Sequence, residues 1–342
     1  MPIQNYGVLV GTVSAKLDSP AAKLKNPGGS PHYEILVTAA GTKYRIAVNV
    51  KSDQQPPDLQ FFLDENYKHP ILTAVKAIAP GFTKLSSQPN TAALDFIRGN
   101  LFDIQRMRIV PAVTSGANND LNDIFSVYVD KAINTPGALI YAFGSKWGPE
   151  TKKDDYFDFT PGNGIHDIHM NQGNKGSHAG DNGVYQDGAL FIHYPGEDRW
   201  VAMFLKFQSQ EIHTDDTDAT PIPAPTPGAP LPETVTAVFI IAALVNPKAD
   251  DTGKEAVYLL NTTDKDISLE GWAIADKLKK KELIKIKTIK AGEVLRLQLS
   301  GTTAQLSNDG GIITLLNKEG LKIHGVSYTK EDAQKQGYVV KF

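Results

Sequence analysis

Apolar and polar positions alternate in short runs along most of the chain, and that period of two predicts strands. Short apolar-rich runs from Tyr6 to Val13, Ser126 to Ala132, Leu139 to Phe143 and Ala189 to His193 are strand-like as well. Trp200 to Phe207 is apolar almost throughout, with Lys206 its one charge, as expected of a central strand buried on both faces. A helical period is confined to Ala74 to Ile78 and Thr91 to Asn100, where Ala93, Leu94, Ile97 and Leu101 fall at i, i+3, i+4 spacing. The first 216 residues are therefore expected to form an α+β domain with a mostly antiparallel sheet.

One segment predicts its own register. Tyr33, Ile35 and Val37 alternate with His32, Glu34 and Leu36, Ala39-Ala40-Gly41-Thr42 supplies a turn, and Tyr44, Ile46, Val48 and Val50 alternate with Arg45, Ala47, Asn49 and Lys51. A turn centred on Ala40-Gly41 puts His32 directly opposite Asn49. His32, Glu34, Arg45, Asn49 and Lys51 then share one face of a hairpin. An imidazole, an amide and an ammonium so placed can hold an anion and move a proton, although an ordinary solvated face fits the same pattern.

Pro221, Pro223, Pro225, Pro227, Pro230 and Pro232 mark residues 217 to 233 as an extended linker. Beyond it, residues 234 to 342 carry strand-like runs separated by turns such as Asn308-Asp309-Gly310-Gly311, the pattern of an all-β, immunoglobulin-like sandwich. Seven lysines between Lys277 and Lys290 form a basic strip in which Ile284 and Ile286 alternate with Lys285 and Lys287. An edge strand kept soluble by lysine explains the strip, and so does a surface for a polyanion.

Composition narrows the chemistry. The 342 residues include no cysteine, which excludes disulfides, thiolate metal sites and thiol nucleophiles. A net charge of -3 gives no long-range attraction to nucleic acid or membrane. No apolar run reaches the roughly 18 residues of a membrane span, and the N-terminus lacks the pattern of a secretory signal. The expected location is the cytoplasm, with signal-less export as the alternative. Phosphate loops, GxGxxG, GxSxG and HExxH motifs are absent from the sequence.

The eight histidines are unevenly placed, and His166, His169, His178, His193 and His213 lie within 48 residues. The densest polar segment is Gly162 to Asn174, which holds His166, Asp167, His169, Asn171 and Gln172 among three glycines. On a helix His166 and His169 would share a face and could bind one metal. The glycines favour an extended segment that groups Asp167, His169 and Asn171. Asp187 is a further metal-ligand candidate, and Gln210 follows the apolar strand that ends at Phe207. His69 and His178 read as surface histidines, and Asp215, Asp216 and Asp218 as solvated linker residues.

Two resemblances add to this. Leu244-Val245-Asn246-Pro247, Glu255, Asn261, Leu269-Glu270-Gly271-Trp272 and Leu306 to Gly311 resemble the lamin-tail domain, which implies a non-catalytic interaction or targeting module. Asn5 to Leu9, His32-Tyr33, Ala47 to Ser52, Ala93 to Arg98, Asp120 to Asp123, Trp147 to Glu150, Gly164 to Gly173 and Phe207 to Gln210 resemble the YukJ-like family of uncharacterised bacterial proteins. That resemblance implies no established reaction. From the residues themselves, the expected function is a histidine-based hydrolase of a small or polymeric phosphoester, of phosphodiesterase or nuclease type. His32, Lys51, His166, His169 and Asp167 are the catalytic candidates; Arg45, Asn49, Asn171, Gln172 and Gln210 are the substrate-binding ones. His166, His169 and Asp187 could instead hold Mg, Mn, Zn or Ca. The alternative is a non-catalytic domain that binds a glycan, nucleotide or peptide, tethered to a protein or polyanion partner by the second domain.

Overall fold

The structure, a computed structural model, describes residues 6–28, 32–50, 59–85, 100–103, 106–110, 115–117, 119–166, 188–207, 237–248, 251–320 and 322–342. Elements in the first part of the chain are β1 (Tyr6–Leu17), α1 (Ser19–Lys25), β2 (His32–Ala39), β3 (Thr42–Asn49), β4 (Leu59–Asp64), α2 (Ile71–Lys76), β5 (Gly81–Lys84), β6 (Arg108–Ile109), α3 (Leu121–Asn134), β7 (Leu139–Trp147), β8 (Gly164–His166), β9 (Gly188–Tyr194) and β10 (Arg199–Phe207). All ten strands join one sheet in the order β5-β1-β2-β3-β8-β7-β9-β10-β4-β6. The domain is thus mostly β, a correction to the expected α+β class.

Ser126 to Ala132 is also corrected, from strand to helix. Val127 and Val129 give the segment a strand-like look, but Leu121, Phe125, Tyr128, Val129 and Ala132 are the buried positions, and these follow a helical period. The Asp120 carboxylate caps the helix by accepting from Asp123 N.

The sheet closes on itself. β1 is long and shifts register between Val13 and Ala15, so its first half pairs with β7 and its second half with β2. β2 pairs with β3, β3 runs parallel to β8, and β8 returns to β7. The circuit β1-β2-β3-β8-β7-β1 is a five-stranded barrel with α3 inserted in sequence between β3 and β7. This is the connectivity of an OB barrel. Leu9, Tyr33, Ile35, Ile46, Val48, Ile140, Ala142 and Ile165 converge inside it with Phe125 and Val129 of α3. The Tyr33 hydroxyl lies 3.0 Å from Ser126 Oγ of the helix. Gly164 is required where β8 meets β3, since a Cβ there would collide with the Arg45 carbonyl and the Trp147 ring.

The hairpin pairs as its alternation predicts, from His32 opposite Asn49 to Ala39 opposite Thr42. Ala40 and Gly41 both take positive φ, 47° and 79°, as a two-residue I′ turn demands. β10 lies between β9 and β4, with Val201 to Leu205 almost wholly buried.

The second part contains β11 (Val238–Leu244), β12 (Ala256–Asn261), β13 (Ile267–Ser268), β14 (Ala273–Ala275), β15 (Lys281–Leu283), β16 (Thr288–Ile289), β17 (Val294–Gln298), β18 (Gly311–Leu316), β19 (Lys322–Tyr328), α4 (Lys330–Ala333) and β20 (Val340–Lys341). Two four-stranded sheets, β17-β12-β11-β20 and β15-β14-β18-β19, enclose a core that includes Ile240, Val257, Leu259, Trp272, Ile274, Ile313 and Leu315. Buried Asn261 donates to the Lys265 and Lys290 carbonyls and accepts from Thr263, which fixes the turn after β12. Buried Glu255 accepts from Leu306 N with both oxygens. The compact unit built on this sandwich also takes in α2 and residues 100 to 103. Asn100 Nδ2 donates to Ile313 O, Thr314 Oγ1 and Val326 O. Residues 284 to 287 are not a strand, contrary to their alternation, because β15 ends at Leu283. Among the described residues, no helix is long and apolar enough to cross a membrane.

Candidate functional site

Side chains on paired strands share a face when they lie opposite each other, so the barrel wall has an inner and an outer surface. His32, Glu34, Arg45, Ala47 and Asn49 of the hairpin are outward. His166 of β8 joins them, being in register with Ala47 on one side and Ser145 on the other. The small Ala47 side chain leaves room above β3 for two imidazoles to meet. His32 Nε2 and His166 Nε2 are 2.8 Å apart, and the rings are edge to face at 88° with centroids 4.6 Å apart. Both rings are half-buried, so the pair is reachable from solvent.

The rest of this face is not the solvated surface that its polarity suggests. Residues 148 to 163, between β7 and β8, fold over Arg45. Its guanidinium is 2.6 Å from a Glu34 oxygen and 2.6 Å from an Asp154 oxygen, with the rings of Trp147 and Tyr156 stacked 4.7 Å and 4.5 Å away. The other Asp154 oxygen accepts from Tyr156 N and Phe157 N. Asn163 locks the return of the loop, donating to Lys43 O while its carbonyl accepts from Arg45 N. Arg45 is therefore committed to two carboxylates and holds the barrel wall to its covering loop. This differs from the substrate-binding role expected of it.

Complete burial pushes the Glu34 carboxyl up to about 7, against the pull of Arg45. Burial works to lower the Arg45 guanidinium, but Glu34 and Asp154 hold it above its ordinary value. A raised carboxyl favours the folded state most when it is protonated. The contribution is complete below about 4.5, the ordinary value, and is lost as pH rises through about 7. The first domain is expected to lose on the order of 1–3 kcal/mol of stability across that window. Calorimetry from about pH 5 to about pH 8 checks this, with a flatter profile expected for Glu34→Gln.

Of the sequence candidates, the structure brings His32, Asn49 and His166 together and places Arg45 further along the same face. Lys51, Asp167, His169, Asn171, Gln172, Asp187 and Gln210 lie outside the described residues, as do His178 and His213. Among the described residues, no three His, Asp or Glu side chains are grouped to hold a metal ion. His69 is buried, not on the surface as expected; its Nδ1 accepts from Ile71 N at the start of α2. His193 is also buried and stacks on Trp200 at 4.5 Å. Asp154 and Tyr156 were not identified from the sequence, because Lys152-Lys153-Asp154-Asp155 looks like a solvated turn.

Comparison with known proteins places this site in the first of two families. Residues 1–219 match the family described as "Uncharacterized conserved protein (DUF2278)", which is almost two-thirds of the chain. The chain belongs to this YukJ-like family. It is 39% identical over 221 residues to "Uncharacterized protein YukJ" of Bacillus subtilis (strain 168), an alignment that covers 63% of this chain and 93% of that protein. Residues 232–330 match the Lamin Tail Domain. The YukJ-like match spans the whole barrel, including both histidines of the pair and the loop that covers Arg45.

Proposed function

We propose that the YukJ-like domain is a histidine-based hydrolase of phosphoesters, with phosphodiesters as its substrate class. The 2.8 Å contact between His32 and His166 carries this reading. In a hydrogen bond between two ring nitrogens one must donate and the other accept, and when the pair carries one extra proton the donor is an imidazolium, an acid, beside a neutral imidazole, a base. Phosphodiester hydrolysis needs both: the attacking water loses a proton and the departing oxygen gains one. Substrate entering between the rings would exchange the histidine–histidine bond for one from the protonated ring to a phosphoester oxygen and one from water to the neutral ring. Charge on the phosphoryl oxygens then falls to Lys51, two residues beyond Asn49, because Arg45 is engaged elsewhere. His169, Asp167, Asn171, Gln172 and Gln210 keep their sequence-based roles in this reading.

The same convergence of nitrogens suits a divalent metal. His166, His169 and Asp187 would hold such an ion, which would supply an activated water for the attack. A second reading, binding without catalysis, is favoured by the barrel connectivity, since such barrels take up oligonucleotides and oligosaccharides on the outer face of their second and third strands. Untagged full-length protein, incubated with bis(p-nitrophenyl) phosphate and with single-stranded DNA and RNA, separates the two. Each substrate is tested with Mg, Mn, Zn or Ca and with a chelator. Turnover of at least one substrate is expected. Intact substrates throughout, together with retention of a labelled oligonucleotide or glycan, would replace hydrolysis by binding.

A further inference from the structure

The second domain has an open side that the proposed hydrolase does not use. β15 and β17 are the last strands of their respective sheets, and a groove of about 280 Å³ lies between them. We propose that this groove docks a short extended peptide of alternating apolar and acidic side chains, which adds to a sheet edge as a further strand.

The shape argues for an extended peptide. Half of the N–H and C=O groups of an edge strand point away from its single neighbour and can pair with an incoming strand. The volume is below the roughly 300–1,000 Å³ of sites that enclose a small molecule, and suits a few side chains. The floor argues for apolar residues, because Ile274, Leu297 and Leu299 line it. At the rim, Leu283 is 67% exposed and Ile286 39% exposed. Solubility does not account for apolar side chains left in water beside a groove.

Charge argues for acidic partners. Lys285 and Arg296 line the groove, and neither makes an ion pair among the described residues. The one acid in the lining, Glu282, is satisfied internally: its oxygens accept from Ser300 N, Ser300 Oγ and Thr303 Oγ1. Lysines on an edge repel a strand of like charge, a common guard against aggregation, and the same lysines select an acidic strand. A nucleic acid is disfavoured because no aromatic side chain lines the groove to stack a base.

The test is fluorescence anisotropy on the full chain with a labelled, end-capped octapeptide of alternating Glu and Val. Binding should weaken with salt. It should be at least tenfold weaker for a Lys–Val counterpart, for a Glu–Val peptide with proline at its centre, and for the Lys285→Glu/Arg296→Glu variant. That variant changes exposed side chains and should melt like the parent. Equal binding of the proline peptide would reduce the effect to charge attraction and overturn strand addition. Tighter binding of an oligothymidylate would make this a nucleic-acid surface instead. Unchanged affinity in the double variant would place the peptide elsewhere.

Discussion

Replacing His166 by alanine is expected to lower phosphodiester turnover by about 10²–10⁴-fold, the usual worth of a positioned acid or base, with little change in stability because the ring is half-buried. His32→Ala should cost about the same. The two rings share one hydrogen bond at 2.8 Å, so removing either dismantles the unit. The double variant should therefore be scarcely worse than either single one, as found for groups that act together. Turnover losses that multiply would show that the rings work independently and that their contact is incidental. Ala47 offers a separate check, because it lies in register between the two histidine-bearing strands. Ala47→Leu keeps both imidazoles but fills the space in which they meet, and should reproduce most of the loss. Overpacking at this position would add roughly 1–3 kcal/mol of destabilisation, which a melting curve reads separately from turnover.

Much of this site was legible in the sequence, because a hairpin is a local object. Its turn residues and its period of two fix the register, so His32 opposite Asn49 follows from residues 32 to 50 alone. The partner histidine is not local. His166 reaches β3 only through a parallel pairing made after α3 and β7 have intervened, and alternation within one segment carries no information about such a crossover. Polarity misled for a related reason. Glu34 and Arg45 have the composition of a solvated face, and only the long-range arrival of Asp154, Trp147 and Tyr156 buries them. α3 was misread because β-branched residues mid-helix imitate a strand when the apolar positions on either side are not weighed over several turns. In the second domain the motif residues were readable as motifs, but their causes are contacts across the sandwich, such as Glu255 with Leu306 N. The lysine strip was visible as charge. That it borders a groove between two sheet edges depends on which strands end up outermost, and composition does not encode that.

Arg45→Met should destabilise the first domain by about 3 kcal/mol, toward the lower end of the range for breaking a buried ion pair. Methionine matches the length of the arginine stem but removes the guanidinium from over Trp147 and Tyr156 together with both ion pairs, so the loss is mainly electrostatic. The two carboxylates respond differently. Glu34 already sits at about 7 and escapes by taking up a proton, which limits its share of the cost. Asp154 is tied to Tyr156 N and Phe157 N through one oxygen, and the other loses its partner while the group stays buried. With about 2–4 °C per kcal/mol for a domain of this size, the melting temperature should fall by about 10 °C. The deficit should be smaller near pH 5 than near pH 8, because acid neutralises the abandoned Glu34. Adding Asp154→Asn should recover more stability than adding Glu34→Gln, since Glu34, raised to about 7, already relieves itself by taking up a proton. If the two additions rescued equally, Glu34 would have to be ionised in the folded protein, and the raised carboxyl on which the pH dependence rests would be wrong. Loss of the loop anchor should also loosen the wall beneath His32 and His166, so phosphodiester turnover should fall in Arg45→Met although Arg45 touches neither imidazole.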